Sequence, residues 1–198
     1  MQIPLFPLNT VLYPGGPLPL RIFEARYLDM ISSCLKDESP FGVLLIKEGA
    51  EVGAASTYDL GTVARIADWY QGSDGLLGVT AIGDRRFRLL SAERQKDGLN
   101  VGHVELLAEE PYVALPDRFK PLAEILAGVL DSLGKLYDGL EKDYTDAGWL
   151  SYRFAEILPI SGVAKQEYLS IEDPVERLER ISSSLSTLRN SDRKSEAD

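Results

Sequence analysis

The sequence predicts an α+β protein: a strand-rich part over residues 1–115, a helical subdomain over 116–190, and a flexible polar tail at 191–198. Three observations predict it. Prolines punctuate the first twenty residues, which bars a helix there and restricts strands to edges and strand starts. Turn signals then recur about every ten residues, the spacing of a small barrel or sandwich. Beyond residue 115 the apolar residues instead fall three and four apart, as on helix faces.

Each element follows in order. Two short apolar strands occupy the first twenty residues, with Pro14-Gly15-Gly16-Pro17 forcing a turn. After Arg21 the period changes, and Phe23, Tyr27, Met30, Ile31, Cys34 and Leu35 share one face of a helix near 23–35. Residues 41–46 read as a buried strand, and 61–70 as another. Asp74-Gly75 turns the chain into a strand over 76–82, Gly83-Asp84 turns it again into 86–94, and Asp97-Gly98 leads into 99–108.

Residues 109–116 form a connector with prolines at 111 and 116. Asp117 caps a long helical segment whose stripe is Phe119, Leu122, Leu126, Val129, Leu133, Leu136 and Leu140. Gly128, Gly134 and Gly139 each weaken it by about 1 kcal/mol relative to Ala, which favours a break. Asp146 starts a second helix that Pro159 ends, and Ser161 starts a short third one. Asp173-Pro174, with Glu176 completing a capping box, starts the last, with Val175, Leu178, Ile181, Leu185 and Leu188 as its buried stripe.

The apolar fraction is 44% over 198 residues, as in folded globular proteins, and the net charge is −10. That balance repels phosphate backbones, so no nucleic-acid partner is expected, although Arg85-Arg86-Phe87-Arg88 is a local basic cluster. The single cysteine excludes an intrachain disulfide and a cysteine-based zinc shell. The start does not read as a signal peptide, and the apolar runs are too short to span a bilayer, so the expected compartment is cytoplasmic, without a membrane partner.

The strand–strand–helix opening, Gly61-Thr62, Asp74-Gly75, Gly83-Asp84-Arg85-Arg86-Phe87, and Leu158-Pro159 followed by Lys165-Gln166 together resemble the amino-terminal substrate-binding domain of Lon proteases, as found in small stand-alone bacterial proteins. The resemblance covers roughly residues 1–190 and is densest before residue 90. It implies a small, partly open β-barrel of the pseudouridine-synthase-associated type followed by a helical bundle. It also implies a part in selecting or holding protein substrates for degradation, and brings no reaction chemistry with it.

Reading for catalysis is mostly negative. In the stretch 128–136 the glycines are one residue too far apart for a phosphate loop, and Leu136 replaces the magnesium-binding hydroxyl. Ser132 and Lys135 lie in a helical pattern without companion motifs, and Ser161 reads as a cap rather than a partner of Lys165. Cys34 and His103 could pair as nucleophile and base, but Cys34 lies on a buried stripe. No metal shell and no cofactor site is expected, and the protein is read as a non-enzyme.

Two positive constellations remain. Arg21, Glu24 and Arg26 surround Phe23; an Arg21–Glu24 pair is sterically possible, and the three charges either fasten the helix to the barrel or rim an apolar groove. Trp69 and Tyr70 point to opposite faces of a strand, with packing expected for Trp69 and exposure for Tyr70. Arg21, Glu24, Arg26 and Tyr70 are thus the candidate binding residues. The surface is expected where the first helix and the barrel meet the helical half, and the partners are unfolded or flexible polypeptide segments and a separate protease. RNA binding, opposed by the acidic balance, and a small-molecule enzyme with a pocket near His103 or Glu24 are the alternatives.

Overall fold

The computed structural model describes residues 1–51 and 55–195, with side chains described to residue 187. The chain divides into two compact units: Met1–Glu109 with Ile160–Gln166, and Glu110–Pro159 with the chain from Glu167 onward.

The first unit holds β1 (Gln2–Leu8), β2 (Pro17–Ile22), α1 (Ala25–Asp37), β3 (Phe41–Gly49), β4 (Ala55–Thr57), β5 (Leu60–Gln71), β6 (Leu77–Arg94) and β7 (Asn100–Leu106). Among the described residues these strands form one sheet in the order β1-β7-β6-β5-β3-β4, with β2 alongside β6. Neighbours run antiparallel, except that β1 also pairs with β3 in parallel, Leu5 opposite Gly42 and Leu8 opposite Leu45. The pairings therefore lead from β1 through β7, β6, β5 and β3 back to β1, while β2 and β4 stand beside this path.

Side-chain alternation distributes the strands between two apolar clusters. Ile3 and Leu5 of β1, Leu44, Val63, Phe87 and Val104 form the smaller one. Phe6 and Leu8, from the same β1, join the larger one with Leu18, Leu20 and Ile22 of β2, Phe41, Val43 and the buried face of α1. Phe87 is fully buried, and a Cβ at either Gly42 or Gly61 would press on its ring. The Gly-Thr pair thus has two tasks: Gly61 leaves room for Phe87, and the buried Thr62 hydroxyl donates to the Leu12 carbonyl at 2.6 Å.

Three local expectations are corrected. Gly83-Asp84 is not a turn, because β6 runs unbroken through it. Gly83 is there because the turn after Tyr13 lies against it: Gly15 donates to the Gly83 carbonyl at 2.8 Å, Gly83 donates to Gly16 at 2.9 Å, and a side chain would strike the Tyr13 carbonyl. Phe23 is 59% exposed, since α1 begins only at Ala25 and Phe23 never joins its inner face. Leu35 is exposed as well, leaving Tyr27, Met30, Ile31 and Cys34 to bury that face. The hairpin turns fall where expected, with Gly75 and Gly98 at φ of 80° and 88°, the left-handed region glycine tolerates. Residues 160–166 belong with the strands: the Tyr13 hydroxyl donates to the Lys165 carbonyl at 2.7 Å, and the Gln166 amide donates to Leu60 at 2.9 Å.

The second unit follows the connector with a 3-10 turn (Asp117–Phe119), α2 (Lys120–Leu133), α3 (Lys135–Asp138), α4 (Ala147–Ile157), the end of α5 (Gly162–Ser170), and α6 (Pro174–Ser195). Asp117 does not cap; it pairs with Lys120 at 2.7 Å. The long segment breaks at Gly134, which leaves Leu133 and Leu136 exposed and buries Leu130 and Tyr137 instead. Asp146 caps α4 by accepting from Gly148 and Trp149, both at 3.1 Å, and the Ser161 hydroxyl accepts from Ala164 at 3.2 Å. Asp173 accepts from Val175 at 2.8 Å, while the Glu176 carboxylate goes to Arg180 at 2.6 Å. The α6 backbone continues to Ser195, and Leu188 together with the side chains of the expected tail lies outside the described residues.

The helical unit is built around a charge. Arg177, fully buried, donates to Glu110 at 2.5 Å, to the Ser151 hydroxyl at 2.7 Å and to the Ile171 carbonyl at 2.8 Å, and its guanidinium lies 3.7 Å from the Tyr152 ring centroid. Tyr152 in turn donates to Glu110 at 2.9 Å. Arg153, equally buried, pairs with Glu156 at 3.2 Å, and Tyr137 donates to the same carboxylate.

Two stability outcomes follow from these contacts. Gly83→Ala destabilises by about 2–3 kcal/mol in urea unfolding, the cost of overpacking against backbone. Arg177→Met costs about 3–5 kcal/mol by leaving Glu110 buried without its cation, and adding Glu110→Leu regains more than half of that loss; both are read by the same unfolding curves.

Candidate functional site

A groove of about 250 Å³ opens wholly within the first unit. Its apolar floor comes from Phe6 and Leu8 of β1, Leu18, Leu20 and Ile22 of β2, and Tyr27 of α1; Thr10, Pro19, Arg21, Phe23, Glu24 and Glu51 complete the lining. Pro17 and Pro19 hold this stretch extended, and strand alternation turns the leucines inward. The change to helical period then sets Tyr27 one turn into α1, where its ring stacks on Phe6 at 4.1 Å and 22°.

Burial pushes the Tyr27 phenol pKa up; nearby Arg26 opposes this, and the Glu24 and Glu51 carboxylates add to it. The groove therefore carries a neutral hydroxyl among apolar side chains. Arg26 is the brace of the site. It pairs with Glu24 at 2.8 Å, donates to the Gly98 carbonyl at 2.9 Å and to the Glu51 carbonyl at 3.3 Å, and lies 4.6 Å from the Tyr27 ring centroid. Glu24 precedes the first helical residue without capping it, so its carboxylate is free to pair with Arg26 and face the groove. Glu51 accepts from the Asn9 amide at 2.8 Å.

The four residues singled out from the sequence thus divide. Arg21 and Glu24 line the groove, and Arg26 lies behind Glu24. The possible Arg21–Glu24 pair is not made; Arg21 reaches across to Asp74 of the β5–β6 hairpin. Tyr70 is 52% exposed and does not line the groove, yet it shares a sheet row with Arg21, since Gly78 pairs with both. Its ring covers Gly78, the cross-strand arrangement in which an aromatic shields a bare glycine. Trp69, expected to pack, is 59% exposed, because residues 67–71 of β5 run past the buried core. Phe23 and Glu51 were not foreseen as lining; the prolines at 17 and 19, a mark of an edge strand, are the signal that could have found this place.

Cys34 and Ser132 are taken up by structure, whereas His103 lies exposed on β7. Cys34 is buried, and desolvation raises its thiol pKa, with the Ser39 hydrogen bond only partly opposing. Ser132 donates to the Val129 carbonyl at 2.6 Å within α2. The basic cluster does not form a patch: Arg86 is buried and Arg85 donates to Leu107 at 2.8 Å. Among the described residues no three His, Cys, Asp or Glu side chains gather as metal ligands would, and no helix is long and apolar enough to cross a membrane.

A seven-stranded sheet of mainly antiparallel pairs thus carries a groove along its proline-bearing strand β2. The family model of the ATP-dependent protease La (LON) substrate-binding domain matches residues 2–187, and the chain belongs to that family. A Lon N-terminal domain protein from Xanthomonas campestris superposes with a TM-score of 0.76 at 34% identity, covering 92% of this chain and 98% of that one. Lon protease of Anaeromyxobacter dehalogenans is 26% identical over 188 residues, 90% of this chain and 22% of the protease. Protein cereblon of Xenopus tropicalis is 31% identical over 112 residues, 54% of this chain and 24% of that protein. The chain therefore spans about a quarter or less of the curated relatives it matches.

The raised thiol pKa and the burial of Cys34 have a direct readout. At pH 8, Ellman's reagent labels Cys34 in the native protein at least a hundredfold more slowly than in urea, since only the exposed thiolate reacts; fast native labelling would show that the thiol is accessible.

Proposed function

We propose that this chain is a non-catalytic polypeptide-recognition module, a substrate-binding or adaptor protein of Lon-dependent proteolysis in the cytoplasm, and that unfolded or flexible protein segments are held in the β2–α1 groove. One observation carries the reading: in a member of a substrate-binding family, an apolar groove is left open beside two carboxylates on a protein of net charge −10. Phe23 and the groove floor bury an apolar side chain of the guest, and Glu24 and Glu51 favour a neighbouring basic one. Arg21 contributes its stem to the rim, Arg26 positions Glu24, and Tyr70 serves as an aromatic anchor farther along the Arg21 row. The sheet is read as a partly open barrel of the pseudouridine-synthase-associated type, supported by the pairing path that returns from β3 to β1.

The interior placement of Arg86 and the bonding of Arg85 remove the best basic surface in the sequence, which supports a polypeptide over RNA as the guest. Affinity is on the order of micromolar, because a flexible segment loses entropy on binding. Salt weakens it only in part, because burial is not screened.

Titration of labelled unfolded peptides by fluorescence anisotropy tests this. Peptides mixing apolar and basic residues bind, Phe23→Ala weakens them about tenfold, and Glu24→Gln weakens the basic ones selectively. Leu90→Ala, at an exposed site on β6 outside the groove, binds like the parent. Absence of binding at high micromolar peptide, or indifference to both groove variants, would overturn the assignment.

A further inference from the structure

The groove has a directional backbone. Residues 18–23 line it in unbroken succession, from both faces of β2, while no residue of β6 does. It therefore runs along the edge of β2 that faces away from β6. Register decides which backbone groups that edge presents. In an antiparallel ladder, opposed residues alternate between pairs that exchange two N–H···O bonds and pairs that exchange none. Pro17 and Pro19 have no N–H, so Pro17–Ile82 and Pro19–Thr80 are not the bonded pairs. The bonded pairs are Leu18–Ala81, Leu20–Val79 and Ile22–Leu77. The bonds that Gly83 exchanges with Gly15 and Gly16 continue the same parity past the end of β2.

Pro17, Pro19 and Arg21 therefore turn their backbone outward, giving three carbonyls and a single N–H, that of Arg21. Among the described residues no strand pairs with this edge, and no turn hydrogen bond ends on the Arg21 N–H or on the carbonyls of Pro19 and Arg21. The edge accepts but hardly donates. The carboxylates of Glu24 and Glu51 beside it add to the same polarity.

We propose that this edge takes one extended polypeptide segment as an added strand whose own N–H groups supply nearly all the hydrogen bonds, with a basic residue favoured near Glu24. This rests on the polypeptide-binding reading above and specifies how the guest is held. A second copy of the chain is a poor occupant, because two β2 edges would set carbonyls against carbonyls with only the two Arg21 N–H groups to share. A guest strand is different: every second residue donates toward β2, and the residues between present their N–H groups to solvent.

The test is a backbone N-methyl scan of an unstructured decapeptide that alternates leucine with lysine and serine, titrated against the full chain by anisotropy. Methylation at alternate guest positions weakens binding about tenfold, while methylation at the positions between changes it less than twofold. Arg21→Pro, which removes the one edge donor, binds more weakly than Arg21→Ala, which removes only the side chain. If the decapeptide does not bind at all, the polypeptide reading fails and strand addition with it. If it binds and Phe23→Ala weakens it, but both methylation parities are tolerated alike or the two Arg21 variants bind equally, the groove stands and strand addition is overturned. A sedimenting dimer that the decapeptide dissociates assigns the edge to a second copy and overturns it as well.

Discussion

Phe87 is the constraint on which the strand-rich unit depends. Its ring occupies the small cluster formed by β1, β3, β5, β6 and β7, and it fits only because Gly42 and Gly61 bring no side chain to the same place. Strand register is coupled to that fit, since a one-residue slip of β3 or β5 would present a side chain to the ring in place of a glycine. The other cluster inherits the arrangement. Once β1 and β3 are fixed by their inward residues, alternation sends Phe6, Leu8, Phe41 and Val43 to the opposite face, where α1 and β2 are laid over them. The groove is the part of this second layer that α1 and β2 leave uncovered.

The helical unit solves its packing by other means. Where the strand unit centres on an aromatic ring, this one centres on the Arg177 guanidinium, shared among Glu110, Ser151, a carbonyl and the face of Tyr152. Such a network contributes less to net stability than an apolar core of equal volume, but any other packing of α4 and α6 leaves a buried charge without partners. It specifies one arrangement by penalising the rest.

What the sequence made legible follows from range. Most local signals match the structure: the turns at Gly75 and Gly98, the caps Asp146, Ser161 and Asp173, and the break at Gly134 all depend on neighbours within a few residues, whereas Asp117 pairs with Lys120 instead of capping and the Glu176 carboxylate goes to Arg180. Signals that depend on distant partners were misread. Gly83 has the composition of a turn, yet its purpose is to admit the backbone of residues 13–16. The burial of Arg177 on α6 likewise depends on partners far off in the chain, Glu110 and Ser151. The candidate site shows the same division. Arg21, Glu24 and Arg26 lie close together because they are sequence neighbours, but the expected Arg21–Glu24 pair is replaced by others, because Asp74 and the Gly98 carbonyl arrive from later hairpins.

The return of residues 160–166 to the strands makes the first unit discontinuous in the chain. Tyr13 and Leu60 wait for Lys165 and Gln166, and β1 waits for β7, so the closing contacts span from about one hundred to one hundred and fifty residues. Loop closure over such distances must precede any gain from the contacts, which makes folding of this unit slow relative to the helices formed between. During synthesis from the amino terminus, β1 to β7 emerge from the ribosome well before the segment that completes them. The newborn strand unit therefore passes through a stage with Tyr13 and Leu60 lacking these late bonds, and its last consolidation is tied to the arrival of α5.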